Sequence, residues 1–101
     1  MSVRILLIED DPDLRRTLCD ALQAAAYTVT SSVSLTDARR QIATAIAKRL
    51  GRQQISFDIV LLDLDLPDGR GETLLPQLRD GLASSVLVIS ATHEEGKKIQ
   101  L

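Results

Sequence analysis

The chain of 101 residues balances 12 Lys and Arg against 14 Asp and Glu, a formal net charge of -2, so no global field argues for nucleic acid or an anionic membrane as a partner. One domain is the most such a length holds, close to the size at which a single core sustains itself. Hydrophobic residues reach 45% and aromatic residues only 2%, so the core has to be made of Leu, Ile, Val and Ala, as in layered α/β domains. Cys19 is the sole cysteine, which excludes an internal disulfide and fits a reducing compartment. No apolar run reaches the roughly 18 residues of a membrane span, and Met-Ser-Val-Arg leads directly into a strand, so neither a span nor a signal peptide is expected. The cytoplasm is the expected location.

Residues 3–8 form a short apolar run that ends in Glu9-Asp10-Asp11 and then Pro12. Asp11 or a neighbour can cap the following helix, with Pro12 in its first turn, where a missing N–H costs nothing. Leu14, Leu18, Leu22 and Ala25 recur at three and four, predicting an amphipathic helix over about residues 13–26. Its end at Ala26-Tyr27 lacks the usual glycine, so either the cap is of another kind or Ala26 carries strain of about 1 kcal/mol. Residues 28–33 are β-rich and polar at alternate positions, which suits an edge strand.

Ser34-Leu35-Thr36-Asp37 opens a second helix with Ala38, Ile42, Ala45, Ile46 and Leu50 inward and Gly51 as its C-terminal cap. Its outer face is basic, with Arg39, Arg40, Lys48 and Arg49 and then Arg52; without interleaved aromatics this reads as a solvated face before a nucleic-acid patch. Residues 51–56 connect to the stretch around which the chain is organised. There residues 59–62 are apolar without alternation, the pattern of a parallel strand covered on both faces. Pro67 forbids further ladder pairing and Gly69 permits a tight turn, so Asp63 and Asp65 fall at or just beyond the strand's carboxyl end. A third helix follows from Gly71-Glu72 with Leu74, Leu75, Leu78 and Leu82 inward. Residues 84–91 form a fourth strand ending at Ser90-Ala91, and Thr92-His93-Glu94-Glu95 opens a fourth helix that the sequence does not complete.

The alternation implies right-handed crossovers and an α/β, doubly wound, mostly parallel sheet. Parallel strands point one way, so the ends at Glu9/Asp10/Asp11, Asp63/Asp65 and Ser90 converge on one rim, where open α/β sheets bind ligands. Clustered carboxylates repel unless a cation screens them, and oxygen-only ligands suit Mg²⁺. Singly, Asp10 and Asp11 read equally well as helix caps and Asp63 as a polar strand end. A carboxylate in such a place can also act as nucleophile toward a phosphoryl group, with a backbone nest and a hydroxyl as further donors.

In the order Glu9-Asp10-Asp11, then Leu61-Leu62-Asp63-Leu64-Asp65-Leu66-Pro67-Asp68-Gly69, then Val88-Ile89-Ser90-Ala91, the chain resembles the response-regulator receiver domain of two-component signalling. That resemblance implies the CheY-like, flavodoxin-like fold with strand order 2-1-3-4, the fifth strand and fifth helix missing, so residues 1–101 read as an incomplete receiver. It implies Asp63 as phosphoacceptor, Mg²⁺ held by Asp10, Asp11 and Asp63 with the backbone carbonyl of Asp65, and Ser90 as the residue that hydrogen-bonds the phosphoryl group and switches. A sensor histidine kinase is the implied partner, and DNA enters only through an output domain outside this chain; the protein is a phosphoacceptor and not a turnover enzyme. The family's phosphate-binding lysine is not assigned to Lys97 or Lys98, which fall too early. Two other readings stand beside this one: a receiver remnant acting by association alone, and a haloacid-dehalogenase-like phosphohydrolase using Asp63-Leu64-Asp65. Loss of the fifth strand would leave residues 86–89 as an open edge, so self-association through the fourth strand or exchange of the segment from Thr92 onward is expected.

Overall fold

The computed structural model describes residues 3–51, 57–82, 84–92 and 96–100, without the side chains of Arg49 and of residues 90–92 and 96–100. In chain order the elements are β1 (Arg4–Ile8), α1 (Pro12–Ala24), β2 (Thr28–Ser32), α2 (Leu35–Leu50), β3 (Ile59–Asp63), the short β4 (Asp65–Leu66) and β5 (Gly69–Arg70), a helical segment over residues 71–82 with one α-helical turn α3 (Leu75–Gln77), β6 (Ser85–Thr92) and β7 (Gly96–Gln100). One sheet takes the order β2-β1-β3-β6-β7. Its first four strands are parallel, as the alternation of elements predicts.

The unbroken apolar runs have a direct cause. Along β1, Leu6 and Ile8 enter one core with Ala38, Ile42 and Ala45 of α2, while Ile5 and Leu7 enter another beside Leu18 and Leu22 of α1. Strand β3 does the same, sending Val60 and Leu62 to the α2 side and Leu61 to the α1 side. Successive strand residues face opposite ways, so both must be apolar when both faces are covered. Truncating a fully buried member such as Leu62 to Ala would cost about 2–5 kcal/mol.

Four features depart from expectation. The third helix is not regular: it comprises a 3-10 turn (Gly71–Leu74), the single turn α3 and a π-type turn (Leu78–Leu82). Pro76 in its middle lacks the N–H that a continuous helix requires, yet Leu74, Leu78 and Leu82 still point inward and are buried. Leu50, expected on the inner face of α2, is 80% exposed. A helix of 16 residues runs about 24 Å, against roughly 16 Å for a five-residue strand, so its last turn overshoots the sheet. Gly51 ends α2 without a left-handed backbone; among described non-glycine residues the left-handed position is Ala26, at φ 69°, the strained cap that the sequence raised.

The fourth departure is the tail. In place of an opening helix, β7 pairs antiparallel with β6, Val88 opposite Gln100 and Thr92 opposite Gly96. Val88 and Ile89, half of the edge expected to stand open, therefore have a partner strand in the tail. His93, Glu94 and Glu95 of the expected fourth helix lie outside the described residues, as do residues 52–56 of the loop before β3.

Candidate functional site

The carboxyl ends of β1 and β3 adjoin through parallel pairing, with Ile8 beside Leu62, which places Glu9 and Asp63 next to each other at one rim. Both are fully buried. One carboxylate oxygen from each of Glu9, Asp10 and Asp63 lies within 4.8 Å of the other two. Such a cluster of hard oxygen donors, two of them withdrawn from water, needs a counter-charge, and an all-oxygen donor set fits Mg²⁺.

Each member is held by the local chain. The N–H of Glu9 donates to the carbonyl of Ser32 at 3.0 Å, which ties the end of β1 to the end of β2, and Glu9 Oε2 accepts from the N–H of Asp11 at 3.1 Å. Arg15, one turn into α1, donates Nη1 to the carbonyls of Glu9 and Asp10 at 3.0 and 3.2 Å, bracing the turn from behind. Asp63 Oδ1 accepts from the N–H of Asp65 at 3.0 Å, fixing the carboxylate against the loop that follows it.

Asp11 is the predicted ligand that the structure does not bring into the cluster. It is the N-cap of α1, and its Oδ1 accepts from the N–H groups of Asp13 and Leu14 at 2.9 and 3.2 Å. Glu9 stands in the position expected of it. Asp65 is exposed in β4 and contributes its N–H to Asp63. Ser90 lies on β6 one residue past Ile89, the register partner of Asp63, so its backbone reaches the rim; its side chain is outside the described residues.

Two further residues shape the site. Gly71 is buried, its N–H donates to the carbonyl of Leu64 at 2.9 Å, and a Cβ there would overlap the carbonyl oxygen of Asp63. Only glycine lets the chain return so close behind the carboxylate. Asp68, at the tip of the β4–β5 hairpin, accepts from the N–H of Leu35 at 2.7 Å and from the N–H and hydroxyl of Thr36 at 2.8 and 2.6 Å. It thus caps α2 from a distant part of the chain, and the Thr36 hydroxyl, followed by the backbone donors, holds its carboxyl down from 3.8 to about 2. The loop behind Asp63 and the start of α2 are consequently one mechanical unit. Neither role has a local sequence signature.

A receiver domain is what this sheet order and this acidic rim describe. Residues 5–101 match the response regulator receiver domain, and the chain belongs to that family. The transcriptional regulatory protein KdpE of Staphylococcus aureus is 36% identical over 100 residues, a span that covers 99% of this chain and 39% of that protein; the chain therefore spans well under half the length of this relative. The MaeR response regulator bound to beryllium trifluoride is 31% identical, with a TM-score of 0.70 over 93% of this chain and 70% of that one. TrrA of Thermotoga maritima, in complex with Mg(2+)-BeF, shares the fold at 21% identity and a TM-score of 0.73, covering 92% of this chain and 72% of that one. Family membership sets aside the phosphohydrolase reading of Asp63-Leu64-Asp65.

Proposed function

We propose that the chain receives a phosphoryl group on Asp63 from a sensor histidine kinase and that Mg²⁺ is held there by the carboxylates of Glu9, Asp10 and Asp63 with the backbone carbonyl of Asp65. The observation that carries the reading is the convergence of those three carboxylates within 4.8 Å at the ends of β1 and β3. When bound, the ion neutralises charge on the transferring phosphoryl oxygens. The protein's own work is positioning. The bond from the Asp65 N–H fixes the Asp63 carboxylate, whose oxygen forms the new bond to phosphorus while the donor's P–O or P–N bond breaks and the donor leaves with that electron pair. Gly71 keeps the space behind the nucleophile open to backbone alone. Ser90, beside the register partner of Asp63, donates its hydroxyl to the phosphoryl group and carries the new charge into β6.

The product is an acyl phosphate that persists until water removes it, so the domain is a phosphoacceptor and not a catalyst of turnover. In a longer regulator of the kind that KdpE represents, its state governs transcription through a DNA-binding output. Incubating the chain with acetyl phosphate tests the reading by intact mass. A gain of one phosphoryl group that needs Mg²⁺ and is lost in Asp63→Asn is expected; no gain in the wild-type chain with Mg²⁺ present would overturn the reading in favour of a domain that acts by association alone.

A further inference from the structure

A cavity of about 450 Å³ opens between α2 and the edge strand β2, reaching from Arg4 at the start of β1 to Gln41, which bonds Ser31 and Ser32. Arg40, Thr44 and Lys48 reach it from α2, and their spacing of four puts them on one helix face. Arg4, Thr28 and Thr30 reach it from the sheet; Arg4 is the register partner of Thr28, and alternate residues of β2 share a face. No lining residue is acidic among those described, and Ala45 and Phe57, both buried, add an apolar wall. Arg40 is ion-paired with Asp37, whereas Lys48 has no ion-pair partner among the described residues.

The size lies within the range of small-molecule pockets. Three cationic side chains with the hydroxyls of Thr28 and Thr30 offer several donors to a compact anion with several oxygens, which is the chemistry of a phosphate group; the Thr44 hydroxyl donates instead to the Arg40 carbonyl at 3.0 Å. The apolar wall needs a ligand that is more than the anion. We propose that this cavity binds a phosphate monoester of mononucleotide size, with Lys48 and the hydroxyls of Thr28 and Thr30 on the phosphate and Ala45 and Phe57 against the remainder. None of its lining residues belongs to the Glu9, Asp10 and Asp63 cluster. It rests on α2, the helix whose N-terminus Asp68 caps from the loop behind Asp63.

The test is amide NMR of the whole chain titrated with AMP, a phosphate monoester that does not phosphorylate carboxylates, and with adenosine. Saturable shifts at Thr28, Thr30 and residues 40–48 with AMP are expected, together with binding of adenosine weaker by about tenfold or more, the worth of one charge-assisted contact. Lys48→Glu should weaken AMP by at least about as much and Thr30→Val by less, while Asp63→Asn leaves it unchanged. Shifts centred on residues 9–11 and 63, absence of saturation, or an AMP affinity indifferent to Lys48→Glu in a variant with native far-UV circular dichroism would each overturn the proposal.

Discussion

Neutralising Asp63 should make the metal-free protein more stable, although it removes a side chain that the fold holds in place. Asparagine keeps the oxygen that accepts from the Asp65 N–H and has nearly the same volume, so packing is preserved. What disappears is repulsion. Two unit charges at 4.8 Å, the separation within which the cluster oxygens fall, repel by about 3.5 kcal/mol at an effective dielectric constant near 20. Asp63 takes part in two of the three pairs. Relaxation and the cluster's other contacts relieve most of that, so the retained gain is about 1–3 kcal/mol in Asp63→Asn. For a domain of this size each kcal/mol moves the unfolding midpoint by roughly 4–8 °C. Thermal and urea unfolding should be run in EDTA and again with Mg²⁺. In EDTA the variant unfolds higher than the wild type; with the ion at about ten times its Kd the wild type gains about 1.4 kcal/mol by mass action and the variant much less. A variant that is less stable than the wild type in EDTA would contradict this expectation, because the cluster would then be held by its hydrogen bonds against a negligible repulsion.

Asp10→Asn should weaken Mg²⁺ binding, whereas Asp11→Ala should leave it nearly intact and cost about 1 kcal/mol through the lost cap of α1; isothermal titration and urea unfolding of the pair separate the two roles. Ala26→Gly should stabilise the chain by about 1 kcal/mol, because glycine takes the left-handed backbone of that residue without the Cβ penalty; a fall in the urea midpoint would contradict this. Gly71→Ala should destabilise by several kcal/mol and abolish phosphorylation together, since its Cβ collides with the backbone of Asp63; near-native stability by urea unfolding would show that the loop can move aside. Acid should loosen α2. The Ser32 hydroxyl, then Arg40 and Gln41, lower the Asp37 carboxyl from 3.8 to about 2, and Asp68 is lowered likewise. A depressed carboxyl contributes stability that is whole above its unfolded value of about 4 and lost as the pH falls through about 2. Hydrogen exchange along α2 should therefore rise across that window, and less steeply in Asp68→Asn.

Much of the fold was legible because the strands announce themselves: residues 5–8 and 59–62 are apolar at every position, and that happens only where both sheet faces are covered. The acidic rim followed from the same pattern. Its register did not. Glu9-Asp10-Asp11 offers three adjacent carboxylates, and the choice among them depends on which one the helix takes for its own cap. The Asp11-Pro12 pair, an N-cap residue before proline at the first helical position, held that signal, and it leaves Glu9 and Asp10 for the rim. The tail was misread for a comparable reason. Thr92-His93-Glu94-Glu95 resembles a helix start, but Gly96 is a poor helix interior, and the edge of β6 supplies unpaired backbone groups that a following strand can satisfy. Long-range work such as the Asp68 cap on α2, or the close pass of Gly71 behind Asp63, needs the folded chain before it can be seen.

The proposed phosphoryl acceptor is Asp63. Reductive trapping of the acyl phosphate, followed by peptide mapping, tests it directly, because the trapped carboxyl is permanently marked. The mark is predicted on Asp63 alone and only when Mg²⁺ accompanies the phosphodonor; a mark on Asp65 or Asp68, or one equally abundant without the ion, would contradict it.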